Sequence, residues 1–389
     1  MSQLQAPANT SLPFIGGGSD LATWIIAISI LVSTVLSVLA FLGVAQGMQM
    51  RVWRSQIESR LRIIEGYITE VRGIVSERLR RHGVEDPDRE INRVIDYFMI
   101  DPVSIEPTDI IKRLERIIRT GEERLEGIVA RLVGGKASEA EEKNIVTLLS
   151  ILNALNMVYK FLRHMLLLGV KLKNPMLVMQ AWMLLPLYLR IAKAYRDAAR
   201  VIEKGAPIGD AAGPLVAYRL SRQLRDASEP REIAKDTIYI RGLMDDRIVY
   251  VVKARGPGST VGRPGEAVEK LAEAIAGSNE KLDAIITVDA ALKLEGEETG
   301  SIAEGSGVAM GDPGPEKIRI ERVAVRLGVP VYAVAIKMGL EEAITAMRKE
   351  VEEGVNRALD RVKDMIRELV RPGNAVIIVG VGNTIGVSQ

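Results

Sequence analysis

Cysteine is absent from all 389 residues. That absence removes disulfides, thiolate metal sites and cysteine nucleophiles together. Histidine is nearly as scarce, His82 and His164 being the two present. Hydrolytic chemistry must therefore rest on carboxylates, hydroxyls, backbone amides or a metal held by oxygen ligands. Aromatic residues make up 4% of the chain and the formal net charge is +2. Acidic and basic residues are mixed along the length, so no large basic face advertises nucleic acid and none is expected as a partner. Arg outnumbers Lys, and Ile, Val, Leu and Glu abound, a composition compatible with a thermophile.

What the chain does have is one long uncharged run. From Leu21 to Gly47 it reads LATWIIAISILVSTVLSVLAFLGVAQG. A helix of that length crosses a hydrocarbon core about 30 Å thick. A cleaved signal peptide would need a basic start and a shorter apolar core. Here the preceding tail carries only Asp20, whereas Arg51, Arg54 and Arg60 follow the run. The positive-inside rule then places residues 1–20 outside and everything after the span in the cytoplasm. The expectation is a single-pass protein of the cell membrane, with lipid as a partner. Trp24 and Trp53 fall near the two interfaces.

Residues 48–200 read as a helical cytoplasmic region. Ile57, Leu61, Ile64, Ile68, Val71 and Val75 follow spacings of four and three, one seam of a helix. That seam suits either a juxtamembrane coiled coil, making a homo-oligomer, or packing within the subunit. Further helices are expected over 88–99 and 107–133, the second stopped by Gly134-Gly135. The apolar stretch 145–195 is interrupted by Asn153, Asn156, Lys160, Arg163, Pro175 and Pro186. It reads as buried helices, with a membrane-apposed hairpin as the alternative.

From 201 to 389 the texture becomes that of an α/β domain. Strands are expected at 236–241, 247–253, 284–289, 329–336 and 375–381, and helices at 213–225, 265–276, 316–327 and 340–370. Such alternation predicts a mostly parallel sheet with helices on both faces, whose ligands sit beyond the carboxyl ends of the strands. One strand runs into Asp289 there. Another ends in Gly382-Asn383, and a third leads into a loop containing Gly256 and Gly258. Glycine clusters let backbone amides approach an anion, which makes these four candidates for cofactor binding. Neither loop has the spacing of a standard nucleotide fingerprint.

Asn174-Pro175-Met176-Leu177, the run Pro207–Val216 and Gly380-Val381-Gly382-Asn383-Thr384 resemble an archaeal family of uncharacterised membrane proteins. A second likeness covers roughly the last 190 residues. Gly382-Asn383, the run Gly209–Pro214, Val288-Asp289-Ala290, Gly305-Ser306-Gly307-Val308 and Leu327-Gly328-Val329-Pro330-Val331 resemble the spore germination protease and hydrogenase-maturation endopeptidase fold. The resemblance implies that Asp210 and Asp289 match the paired acidic residues which those peptidases use for proteolysis or metal capture, with Glu304 as a looser third metal ligand. There are two departures. The Gly-Asn strand lies at the C-terminus, as though the domain were circularly permuted, and the metal-holding His is missing.

Two functions follow as expectations. One is a membrane-anchored hydrolase of a protein or peptide substrate, with Asp210 and Asp289 dividing acid and base roles or holding a divalent metal. The other is a non-catalytic oligomeric membrane scaffold that reuses the fold. In that case Asp210 caps a helix and Asp289 supports a turn.

Overall fold

A computed structural model describes residues 21–41, 44–95, 109–311 and 314–389. The 1–20 tail, residues 42–43 of the apolar run, the end of the 88–99 helix and the first residues of the 107–133 helix lie outside the described residues. Two compact units are distinguished, one made from Met1–Glu58 and Met165–Met183, the other from Ser59–His164 and Leu184–Gln389.

In the first unit, helix α1 spans Leu21–Phe41 and helix α2 begins at Val44, running to Arg81. The unit also holds the turn between α5 (Glu139–Lys171) and α6 (Pro175–Glu203). Lys173 adopts φ +52° in that turn. Asn174 then caps α6 by accepting from the Met176 N–H at 3.0 Å, and Pro175, whose fixed φ suits a first helical position, begins the helix. Trp182 packs beside Trp53, ring centroids 6.0 Å apart, and its indole N–H donates to Gln56. Among the described residues, α5 and α6 are long and apolar enough to cross a membrane by length and composition, with 44% and 22% of their most apolar stretches buried.

Along α2, Ile57, Ile64, Val71 and Val75 are fully buried and Leu61 nearly so. The heptad seam is thus covered within the chain, the second of its two uses. In the second unit α2 is tied to its neighbours by polar contacts: Tyr159 donates to Glu65, Arg200 to Glu70, and the Arg196 guanidinium lies 4.6 Å from the Tyr67 ring. Helix α3 (Pro87–Val94) starts at the Asp86 cap, and α4 (Ile110–Val133) ends at Gly134 in the left-handed conformation.

The C-terminal half is built on a seven-stranded sheet of order β1-β2-β3-β7-β4-β6-β5. Its strands are β1 (Arg231–Ala234), β2 (Thr237–Met244), β3 (Arg247–Ala254), β4 (Leu282–Leu292), β5 (Ile302–Ser306), β6 (Val331–Met338) and β7 (Ala375–Gly380). The centre, β3-β7-β4-β6, is parallel, but both edges are antiparallel. The sheet is therefore mixed, not mostly parallel. Asp245 and Asp246, at φ +46° and +59°, explain one edge, because that pair of left-handed residues makes a tight hairpin of β2 and β3. Edge strands β1 and β5 are too short to show a period.

Helices cover both faces. The helix α7 (Ala212–Ser221) and α11 (Lys349–Leu369) bury Val216, Leu220, Val355 and Met365 against Val249, Val251, Ile286 and Ile378. On the other face α8 (Pro264–Ala276) and α9 (Pro315–Leu327) bury Val268, Leu271, Ile320 and Val323 against Val252, Ile285 and Ile377. The helix expected over 340–370 is broken into α10 (Leu340–Ile344) and α11. Its backbone between them pairs elsewhere: Gly209 N–H donates to the Thr345 carbonyl at 3.0 Å and Met347 N–H to Pro207 at 2.9 Å.

Candidate functional site

Strand alternation assigns Asp289 its side of the sheet. Ala284, Ile286 and Val288 face the α7/α11 core, so Ile285, Thr287 and Asp289 face the α8/α9 side. Within β4, beside the end of its neighbour β7, these last two side chains hold the incoming segment after Gly307. Thr287 Oγ1 accepts from the Ala309 N–H at 2.7 Å, and Asp289 Oδ2 from the Gly311 N–H at 3.1 Å. Asp289 Oδ1 accepts from the Ala290 N–H at 2.7 Å, and the residue is only 6% exposed.

Asp210 arrives from a different direction. It sits in a 3-10 turn, Gly209–Ala211, that leads into α7. Its carboxylate makes no cap to α7, whose cap residue is Ala211. Instead Oδ2 accepts from the Asn383 N–H at 2.9 Å. Two glycines allow the approach. Gly382 has φ +126°, and a Cβ there would lie 2.0 Å from the Asp210 carbonyl oxygen. A Cβ on Gly213 would lie 2.2 Å from the Val381 oxygen and 2.4 Å from that of Val288. The start of α7 thus rests on the ends of β7 and β4, which are neighbours in register Val288↔Gly380.

Asp210, Asp289 and Gly382 line one cavity of about 380 Å³, with Ile118, Met310 and Val381 among its apolar walls. Burial raises the pKa of both carboxyls. That of Asp289 is held well above the ordinary carboxylate range, by burial first and then by the negative charge of Asp210, against the opposing pull of the Ala290 and Gly311 N–H groups. Ionising Asp210 therefore disfavours ionising Asp289.

The other expected residues are placed differently. Asn383 presents its backbone N–H to Asp210, but its side-chain amide donates to Ser259 Oγ at 2.9 Å and does not turn to the acidic pair. Gly256 and Gly258 serve backbone packing: a Cβ on the first would meet the Val387 carbonyl oxygen and one on the second the Ala140 Cα. Glu304 is exposed on edge strand β5 and paired with Arg361 at 2.6 and 3.1 Å. Among the described residues no group of three or more His, Asp or Glu is placed to hold a metal ion. Two carboxylates without Glu304 do not make the oxygen cage expected of a protein-held divalent ion.

Two features of the cavity, and one residue away from it, have no clear signal in the sequence. Helix α4 supplies a wall, with Glu115, Ile118 and Glu122 at spacings of three and four on one helical face. It is held to its neighbours by charge: Arg319 bonds Glu115 at 2.8 Å, Arg119 bonds Glu266 at 2.7 Å, and Arg263 pairs with Glu122. Glu316, at the start of α9, also lines the cavity; Oε2 accepts from the Glu266 N–H at 3.0 Å, Oε1 is buried with no partner among the described residues, and burial raises its pKa. Its only sequence signal was the helix start Gly314-Pro315-Glu316. Away from the cavity, Lys253 on β3 is 1% exposed and its amine donates only to the Ala254 carbonyl at 3.2 Å among the described contacts. Burial pushes its pKa down to about 8.

Residues 31–205 match the family model described as the N-terminal domain of a protein of unknown function, DUF1512, and residues 208–388 match the model of the DUF1512 C-terminal domain. No curated protein matches the chain.

Proposed function

Since the chain belongs to the DUF1512 family, whose description carries no activity, we propose a function from the site itself: a membrane-anchored hydrolase, facing the cytoplasm, in which Asp210 and Asp289 act as an acid–base pair on a peptide bond. One observation carries this reading. Two carboxyls 79 positions apart, counted as 289 minus 210, line the same cavity, and the charge of one raises the pKa of the other. An ionised carboxylate takes a proton from water as it attacks the carbonyl carbon, and the neutral partner donates to the leaving nitrogen. The apolar walls would exclude bulk water and suit an apolar peptide segment. The neighbouring β4 and β7 turns and the helix after Asp210 support the peptidase-like resemblance. The uncharged α1 with Arg51, Arg54 and Arg60 after it supports the anchor and its orientation.

One observation favours the non-catalytic scaffold as a second reading. Both oxygens of Asp289 already accept backbone N–H bonds, as a purely structural brace would. Full-length protein in detergent, assayed on fluorescently labelled casein, separates the two. A hydrolase should lose at least about 100-fold in kcat in Asp210→Asn and in Asp289→Asn. Unaltered turnover in both variants, or none from the unmodified chain on casein and on an unbiased peptide library, would leave the scaffold.

A further inference from the structure

The unit containing α1 also carries a second outward apolar surface. Leu167, Leu172, Met176 and Met183 around the α5–α6 turn are 55–63% exposed, and Met48 and Val52 on α2 are 58% and 51% exposed. The stacking of Trp182 on Trp53 and its bond to Gln56 fix the turn beside the opening turns of α2. That is the stretch where the apolar run of α1 gives way to Arg51 and Arg54. The turn also has one sign of charge. Lys171 and Lys173 are exposed at its tip, and no Asp or Glu occurs between Glu142 and Asp197.

Apolar side chains ringed by Lys and Arg, with Trp between them, match the boundary of headgroups and acyl chains in an anionic leaflet. Long basic side chains there keep their stems in the apolar layer and their charge at the phosphates. Lys is depleted in protein–protein interfaces, which argues against a second copy as the occupant.

We propose that the α5–α6 turn is a membrane-interface contact. Leu172, Met176 and Met183 enter the leaflet from which α1 emerges, and Lys171 and Lys173 meet lipid phosphates. The proposal rests on α1 being the anchor, and the two are tested separately. Full-length chain carrying Trp24→Phe and Trp53→Phe keeps Trp182 as its one indole. It is reconstituted into phosphatidylcholine vesicles with and without phosphatidylglycerol, containing lipids brominated near the headgroup. Trp182 emission should fall about twofold or more, further with phosphatidylglycerol present. Adding Leu172→Glu, Met176→Glu and Met183→Glu should abolish the quenching while the chain still resists alkaline extraction. Unquenched Trp182 in a chain that resists extraction would overturn the proposal and leave the anchor standing. A doubled particle mass in detergent, lost in the triple Glu variant, would assign the surface to a second copy and overturn it too. Release of the chain by alkali would overturn the anchor, and this proposal with it.

Discussion

The backbone N–H of Asn383 donates to Oδ2 of Asp210 across 2.9 Å, joining residues 173 positions apart. Asp210 is thereby held just beyond the carboxyl end of β7, on the cavity that Asp289 also lines. The pKa values of both are raised, so the fold favours their protonated forms. The associated stability is full below the ordinary carboxylate pKa and is lost as pH rises through the raised values. Asp210→Asn keeps an oxygen for Asn383 and removes the charge that raises Asp289. The melting temperature of the unmodified chain should fall as pH climbs from about 4 toward neutrality, and that fall should be smaller and end at lower pH in the variant. Superimposable profiles would mean that the two carboxyls do not interact.

Gly382→Ala tests the close approach of the bend after β7 to Asp210. A Cβ at φ +126° and 2.0 Å from a carbonyl oxygen cannot be fitted without moving backbone. The expected loss is about 3 kcal/mol or more by chemical denaturation. A loss below about 1 kcal/mol would show that the turn relaxes easily.

Lys253 makes a prediction of opposite slope. Its folded pKa lies near 8, below the ordinary lysine value, so the unfolded chain binds more protons between the two. Stability should rise with pH through that window. At neutral pH the buried charge costs roughly 3 kcal/mol, so Lys253→Met should stabilise by about 2–3 kcal/mol at pH 7 and by far less above about pH 10. Destabilisation at pH 7 would point to an acidic partner for the amine.

Helix α4 buries only Gly121, Val129 and Val133. Its attachment beside the cavity is mainly ionic, and exposed or partly exposed ion pairs weaken with salt. Hydrogen exchange over 110–133 should speed up about tenfold or more in Arg263→Ala, or at high salt, while β4 and β7 stay protected. Unchanged exchange in 110–133 would show that apolar contacts hold the helix.

The heptad seam gives a stability prediction. Ile64 is fully buried inside the chain. Ile64→Lys should cost about 3–5 kcal/mol through an unpaired buried charge, without a stepwise fall in particle mass. A well-folded variant of lower mass would restore the coiled-coil use of the seam.

Local chemistry was legible in the sequence. Periodicity located the five longer strands and most helices, because side-chain spacing reports which face is buried. Glycine and proline marked the α4 stop and the α6 start. Asp289 stood out as a carboxylate closing an apolar run, though β4 continues past it to Leu292 and it is the shorter neighbour β7, ending opposite Val288, that opens the cavity beside it. Short strands β1 and β5 and the break at 345–348 were not legible, since they depend on pairing with distant backbone.

Sequence alone determined the uncharged run, the helical first half, the alternating second half and the chemistry open to a chain without cysteine. Tertiary structure decided that the α2 seam is covered from within. It also decided that Gly256 and Gly258 admit neighbouring backbone, that Glu304 answers Arg361, and that Glu115, Glu122 and Glu316 join the wall around Asp210 and Asp289. These outcomes depend on contacts between residues tens to hundreds of positions apart. Spacing along a helix or strand carries only the local period, so which partner fills a given face is settled when the elements pack.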